Sequence, residues 1–366
     1  MALKRVLIVI GSLRSGGTER QASLTANALC EQGIDVTVLV FDNTQGAAYE
    51  LHPRVKLVAA SGGVSGVCLT LVRLVRAQRN VDVVMSYLDL ANALCALVST
   101  RSSRLVWNLR SSSVSPGLIN RMAFNLSRWQ SRRRVADIVL ANAHSVLNFY
   151  AAQGFDLGRG EVLPNAIDTN VFKPDPTAGD RLREHLGVQK GVPLVGFFAR
   201  YQPEKRHDLI LQAVSRWCAD IHLVMIGRGV DTGNNELCSQ ISKVGLVDRV
   251  HLLGEQKDMG FYHAAVDLQV CASDFEGLPN VLLEAMASGV PCVGTDVGGI
   301  SELLMDCGVL VPPDQPDSLG QAIHNLLTDS DRVMDLVMHA HTRIKQRYTK
   351  DQVTGQLVFR LSCLTK

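Results

Sequence analysis

Short apolar runs recur along the chain, each followed by a polar turn and then a stretch with helical periodicity. In the first half they fall at 6–11, 36–41, 55–59, 81–87, 104–108, 138–141 and 161–164. In the second half they fall at 192–199, 222–226, 250–253, 268–272, 291–294 and 309–311. Runs this short and this uniformly apolar suit strands buried on both faces. Strands alternating with helices imply parallel βαβ units and a doubly wound sheet. The alternation breaks once, at Lys173-Pro174-Asp175-Pro176-Thr177-Ala178-Gly179-Asp180, where proline and glycine mark a connection. The expected fold class is therefore α/β, with two Rossmann-like doubly wound domains. The boundaries read as 1–172 for the N-terminal domain, 173–190 for a linker and 191–345 for the C-terminal domain. A last helix over 346–366 is expected to cross back to the first domain. A length of 366 residues suits two domains.

One stretch carries the densest chemistry. The run 268–272 ends at Ser273-Asp274-Phe275-Glu276-Gly277-Leu278-Pro279-Asn280-Val281, and a helix-forming segment follows. Pro279 suits the first helical position, where its missing N–H costs nothing. Gly289 suits a helix stop. The amides of Asn280, Val281 and Leu282 then open a helix N-terminus, which favours phosphate. Glu276 lies on the adjoining loop, and Glu284 lies one turn past Asn280. An anion site beside two carboxylates calls for a ligand with both phosphate and hydroxyl groups, such as a sugar nucleotide. Arg200 and Lys205 follow the run 192–199, at a strand end where open α/β sheets bind ligands. They would neutralise a diphosphate and stabilise charge growing on a leaving group. A charged loop alone is more often a solvated surface. Its pairing with the Glu276 segment favours a site. Gly227 and Gly254 end two further strands and allow close backbone approach, although a glycine there is commonly only a turn.

Composition narrows the classes. Apolar residues make up 46% of the chain and charged ones 20%, as in globular proteins with large cores. No uninterrupted apolar run has the length of a membrane span, and the run at 6–10 is too short for a signal-peptide core. A cytoplasmic chain is expected. The nine cysteines include no Cys-x-x-Cys pair, and no His/Cys cluster has zinc-ligand spacing. Buried reduced thiols and no metal are the expectation. Net charge is +2, but residues 1–172 hold 18 Lys+Arg against 11 Asp+Glu, and the remainder 19 against 24. A basic first half hints at an anionic partner. Within it, Arg121, Arg128, Trp129, Arg132, Arg133 and Arg134 alternate with Leu118, Ile119, Met122, Phe124 and Leu126. This pattern suits peripheral docking on an anionic inner-membrane face, with an ordinary basic surface helix as an equal alternative. No aromatic platform for nucleic acid accompanies it. The turn Gly11 to Gly17 has neither Gly-x-Gly-x-x-Gly spacing nor a Gly-Lys-Ser/Thr ending, which argues against dehydrogenase and kinase readings.

The segment from Phe275 to Glu302, with Arg200 and Lys205 before it, strongly resembles the retaining GT-B glycosyltransferases of family four. Glu276 and Glu284 match that family's Glu-x7-Glu signature. Gly16-Gly17-x-Glu19 and Pro164-Asn165-Ala166-Ile167-Asp168 extend the resemblance over nearly the whole chain, with Ala166 where the family more often has glycine. The resemblance implies two domains facing a cleft and transfer from a nucleotide sugar, UDP-linked rather than GDP-linked. It implies that Glu276 contacts the donor sugar and Glu284 the ribose. Arg200, Lys205 and the amides from Gly277 and Leu278 to Asn280 and Val281 would hold the diphosphate without a divalent metal. Gly16, Gly17 and Arg110 would face the acceptor. Arg110 stands where many relatives carry a histidine, and an Arg-Ser-Ser block at 110–112 is closest to enzymes of O-antigen and surface-polysaccharide assembly. Arginine stays protonated and cannot act as a base. An internal-return mechanism, in which the leaving phosphate takes the acceptor proton, would need none. The implied acceptor is a lipid-linked or lipopolysaccharide-type oligosaccharide. A nucleotide-sugar 2-epimerase and a non-catalytic sugar-nucleotide-binding protein are the alternatives.

Overall fold

The structure, a computed structural model, describes residues 3–14, 16–42, 44, 46–60, 64–78, 81–98, 102–114 and 117–365. It divides into two units, one of residues 1–166 with 350–366 and the other of residues 167–349.

The first unit is a parallel sheet of seven strands. These are β1 (Arg5–Ser12), β2 (Asp35–Asp42), β3 (Lys56–Ala59), β4 (Val83–Tyr87), β5 (Arg104–Leu109), β6 (Ile138–Ala141) and β7 (Gly160–Val162). Their order is β3-β2-β1-β4-β5-β6-β7. Register follows the apolar runs, with Val6 opposite Val36 on one side and Val83 on the other. Strands β1, β4 and β5 are buried over most of their length, as in a parallel sheet covered on both faces, and the polar Ser86 and Asn108 are buried among their apolar residues. The final helix, Lys350–Leu364, belongs to this unit. Its Val353, Leu357 and Leu361 recur every four residues and are buried in the core with Val6, Ile8 and Leu29. Lys350 pairs with Glu31 at 2.9 Å, and Arg360 pairs with Glu161 at 2.8 Å.

The second unit is a parallel sheet of six strands in the order β10-β9-β8-β11-β12-β13. These are β8 (Leu194–Phe198), β9 (His222–Ile226), β10 (Val250–Leu252), β11 (Leu268–Cys271), β12 (Cys292–Thr295) and β13 (Val309–Val311). Its core joins Val195, Phe197, Leu223, Met225, Leu268 and Val270 of the sheet to Ile210, Val214, Leu319 and Ile323 of two helices. Counted within the unit, the order is 3-2-1-4-5-6, the dinucleotide-fold order.

Residues 173–190, read from the sequence as a linker, differ from that reading. They contain the helix Ala178–Leu186, which lies in the second unit. Asp175 accepts hydrogen bonds from the Thr177 amide and hydroxyl, at 2.9 and 2.8 Å, so the Pro-rich stretch punctuates a helix start. Ala178 and Leu182 are buried, and Arg183 pairs with Asp267 ahead of β11. The second unit begins at Ile167, whose N–H donates to Tyr348 O at 2.8 Å. The eight described cysteines are all unpaired, and six of them are buried.

Candidate active site

Strands β8 and β11 are neighbours at the point where the order of the second sheet reverses. Ligands of open α/β sheets sit beyond the strand ends at such a point. Arg200 and Lys205 leave the end of β8, and Ser273 to Pro279 leave the end of β11. The fold thus brings the two sequence-predicted segments together.

Lys205 ends a short turn of 3-10 helix, Pro203–Lys205, and its ammonium is ion-paired with Glu276 Oε1. Their side chains are only 17% and 19% exposed. Ser273 Oγ also donates to Glu276 Oε1, at 3.0 Å, and Thr295 Oγ1 donates to Ser273 O at 2.6 Å. Burial works against the Lys205 charge, but Glu276 outweighs it, so the lysine titrates above its ordinary range. Arg200 is exposed at the end of β8, close enough for its charge to oppose that of Lys205.

Arg206 braces this arrangement, a role that no motif in the sequence marks. Its guanidinium reaches Asp208 at 3.0 Å, Asp274 at 3.0 Å and Asp314 at 2.7 Å. The loops after β8, β11 and β13 are thereby held to one cation. Asp274 N also donates to Glu204 O at 2.9 Å. The sequence signals are the adjacency of Arg206 to Lys205 and the presence of Asp208 two residues on, and nothing in spacing marks the two distant aspartates, Asp274 and Asp314.

The loop carrying Glu276 and Gly277 lies against the start of the helix Gly298–Leu304. Gly299 N donates to Glu276 O at 3.1 Å. A Cβ on Gly299 would sit 1.4 Å from Gly277 O, and one on Gly298 would sit 2.4 Å from Glu276 O. Only glycine fits there. A similar approach explains Gly227, where a Cβ would lie 2.2 Å from Ala199 O, next to Arg200. Gly227 N donates to Gly254 O at 2.9 Å, so these two predicted positions are neighbours at the ends of β9 and β10.

The helix is Asn280–Ala287, one residue later than expected. Pro279 is its N-cap, extended at φ −73° and ψ 117°, rather than its first helical residue. The first-turn amides of any α-helix have no acceptor within the helix, so those of Asn280 to Leu282 mark its electropositive end. Leu278 is buried, whereas Asn280 and Val281 are partly exposed. The helix stops in a Schellman motif. Val290 N donates to Ala285 O at 3.0 Å and Gly289 N to Met286 O at 3.2 Å, with Gly289 at φ 76°.

Glu284 is buried on this helix, 5% exposed, and its Oε2 lies 2.9 Å from His263 Nε2. The sequence reading had no signal for His263. The histidine lies in the helix Met259–Ala265, and the two meet only because that helix packs beside Asn280–Ala287.

Gly16, Gly17 and Arg110, the residues expected on the acceptor side, belong to the first unit. Gly16 precedes the helix Gly17–Glu31, and its N–H donates to the Tyr49 hydroxyl at 3.2 Å. Arg110 follows β5 and is buried. It donates to Asn165 Oδ1 at 2.9 Å and Asn108 Oδ1 at 3.2 Å, and its guanidinium lies 5.5 Å from the centroid of the Tyr87 ring. No carboxylate pairs with it among the described residues. After β4, Leu88 adopts a left-handed conformation at φ 69°, which a branched side chain rarely does. Asp89 follows it. Burial pushes the Asp89 carboxyl up to about 6, against the pull of the Tyr150 hydroxyl that donates to it at 2.9 Å.

The basic segment also differs from its sequence reading. The helix spans Leu118–Ser131, and Arg132, Arg133 and Arg134 lie beyond its end. Leu118, Ile119, Met122 and Trp129 are exposed, while Phe124 packs inward on Tyr150 and Phe155. Arg133 stacks on Trp129, Arg134 pairs with Asp156 at 3.2 Å, Arg132 donates to Gly154 O, and Arg128 donates to Asn125. No described helix is long and apolar enough to cross a membrane. Among the described residues, no group of three or more His, Cys, Asp or Glu side chains is placed to hold a metal ion.

Comparison with known proteins shows the family. The family model described as "Glycosyltransferase Family 4" matches residues 15–171, and "Glycosyl transferases group 1" matches residues 192–329. An N-acetyl-alpha-D-glucosaminyl L-malate synthase from Bacillus anthracis is 26% identical over 76% of this chain and 74% of its own length. A D-inositol 3-phosphate glycosyltransferase from Xylanimonas cellulosilytica is 33% identical over 56% of this chain, which spans 51% of that relative. The lipopolysaccharide core biosynthesis mannosyltransferase LpsB of Rhizobium meliloti is 28% identical over 52% of this chain and 57% of its own length. Among solved structures, HepE of Anabaena in complex with UDP-glucose superposes with a TM-score of 0.85 at 24% identity, covering 98% of this chain and 99% of that one. WaaG, a glycosyltransferase of lipopolysaccharide biosynthesis, superposes with a TM-score of 0.76 at 15% identity, covering 98% and 99% of the two chains. The chain belongs to the family 4 glycosyltransferases, the glycosyl transferases of group 1, and has their GT-B fold.

Proposed function

We propose that this chain transfers a sugar, with retention of configuration and without a divalent metal, from a nucleotide sugar to a surface-polysaccharide or lipopolysaccharide-type acceptor. The observation that carries the donor half is the meeting of Lys205, Glu276 and the Asn280 helix start at the β8/β11 switch point. In the transfer, an acceptor hydroxyl attacks the anomeric carbon as its bond to the diphosphate breaks. Lys205, Arg200 and the first-turn amides stabilise the charge that develops on the departing diphosphate. The departing phosphate oxygen accepts the acceptor proton on the same face, so no protein base is required. Glu276 receives hydrogen bonds from the donor sugar, and Glu284 receives them from the ribose.

UDP is favoured over GDP as the carrier. Support comes from HepE, a fold neighbour whose structure was solved with UDP-glucose. Arg110 binds the acceptor, because a buried guanidinium with no carboxylate partner among the described residues is a costly feature that an anionic ligand would offset. The exposed apolar side chains of Leu118–Ser131 and the adjoining arginines hold the enzyme on an anionic membrane face, where a lipid-linked acceptor would be presented.

The test is a thermal-shift panel of UDP-, GDP- and ADP-sugars, followed by product analysis with and without acceptor oligosaccharides. A UDP-sugar should raise the melting temperature most. Sugar should appear on an acceptor and not as a released epimer. Epimerisation without acceptor, or binding without turnover over many acceptors, would overturn the proposal.

A further inference from the structure

His263 is fully buried and its ring packs against two phenylalanines. Phe172 and Phe198 approach it edge to face, with centroids at 5.8 and 4.9 Å. Its Nε2 lies 2.9 Å from Glu284 Oε2, whereas its Nδ1 has no partner among the described residues. A buried ring nitrogen without an acceptor is best left as a bare lone pair, because an unpaired N–H costs more than an unused acceptor. Nε2 therefore carries the hydrogen and donates it to the carboxylate. A partner that is itself locked in place is what holds a functional carboxylate in a single rotamer.

We infer that His263 is a positioning residue that sets nucleotide specificity. By fixing Glu284 Oε2, it aims the carboxylate so that a ligand carrying vicinal ribose hydroxyls is distinguished from one lacking them. This rests on the reading of Glu284 as the ribose acceptor, and the test separates the two. Loss of His263 leaves the diphosphate contacts of Lys205 and the helix start untouched, so its effect is confined to ligands with a ribose diol. A ring that served the fold alone would affect every ligand equally.

The experiment is calorimetric titration with UDP and with 2′,3′-dideoxy-UDP on four proteins: wild type, Glu284→Gln, His263→Met and His263→Gln. The wild type prefers UDP by about tenfold or more, the scale of a charge-assisted hydrogen bond. His263→Met should lose most of that preference while binding dideoxy-UDP as the wild type does. His263→Gln, whose amide nitrogen reaches the place of Nε2, should restore it. If His263→Met does not fold, His263→Asn, polar but too short to reach, replaces it. Equal weakening of both ligands, or an unchanged ratio in His263→Met while Glu284→Gln abolishes it, overturns the inference alone. An unchanged ratio in Glu284→Gln overturns the ribose reading and the inference together.

Discussion

Lys205 and Glu276, the cation and the acid assigned to opposite ends of a nucleotide-sugar bond, are each other's counter-ion. Both are largely withdrawn from water, so neither charge is easily left alone. Lys205→Met should therefore destabilise the fold by about 1–3 kcal/mol, because Glu276 would stay half-buried with only Ser273 beside it. Glu276→Gln keeps a carbonyl oxygen for both donors but leaves the Lys205 charge without a counter-ion, so it too should cost about 1–3 kcal/mol. The double variant should be more stable than the sum of the two losses by about 1 kcal/mol. Urea unfolding of the four proteins measures this. Strict additivity would show that the pair is not a stabilising unit.

Gly299→Ala should destabilise by about 3 kcal/mol or more, because its Cβ would fall 1.4 Å from a backbone oxygen that cannot move without the Glu276 loop. Gly355→Ala is the contrast. It sits in the exposed interior of a helix with nothing within 4 Å of its Cβ, so it should stabilise by about 0.5–1 kcal/mol. Chemical denaturation of both reports the two signs.

Asp89 gives a pH dependence. Its carboxyl is raised from 3.8 to about 6 by burial, so between those values the unfolded chain ionises while the native one holds its proton. Stability is then lost as pH rises from about 4 to about 6 and stays lost above. Asp89→Asn still accepts from Tyr150 and removes that loss. It should be more stable than wild type by about 2–3 kcal/mol at pH 7.5 and equal to it at pH 3.5. Thermal melts at the two pH values decide the matter, and a pH-independent difference would contradict the assignment.

Trp129 and Arg133 are stacked at the exposed end of the Leu118–Ser131 helix. Flotation with vesicles containing anionic lipid should show binding that weakens steeply with salt. Arg132/Arg133/Arg134→Glu should abolish it. Binding that survives the triple charge reversal would refute the membrane reading.

Much of this was legible in the sequence because apolar runs and glycines report local requirements. All thirteen described strands lie at or within a few residues of the apolar runs that mark them, and Gly289 stops its helix as expected. The site segments were visible because Glu276 and Arg200 follow strand ends, which a strand-helix alternation exposes. What stayed hidden depended on distant packing. Arg206 gathers aspartates up to 108 positions away, and His263 meets Glu284 across two helices. The helix inside 173–190 was concealed because its prolines, which mark a break, also mark a helix start. Arginines 132 to 134 looked helical by composition, but the helix ends at Ser131 and Arg134 turns left-handed at φ 51°.

The most direct test of the donor site is calorimetry with UDP and with the UDP-sugar that most raises the melting temperature. Lys205→Ala should weaken UDP itself by about tenfold or more, since it removes a phosphate contact. Glu276→Gln should bind UDP as the wild type does but lose the extra affinity that the sugar confers. Wild-type affinity for the UDP-sugar in both variants would contradict the account.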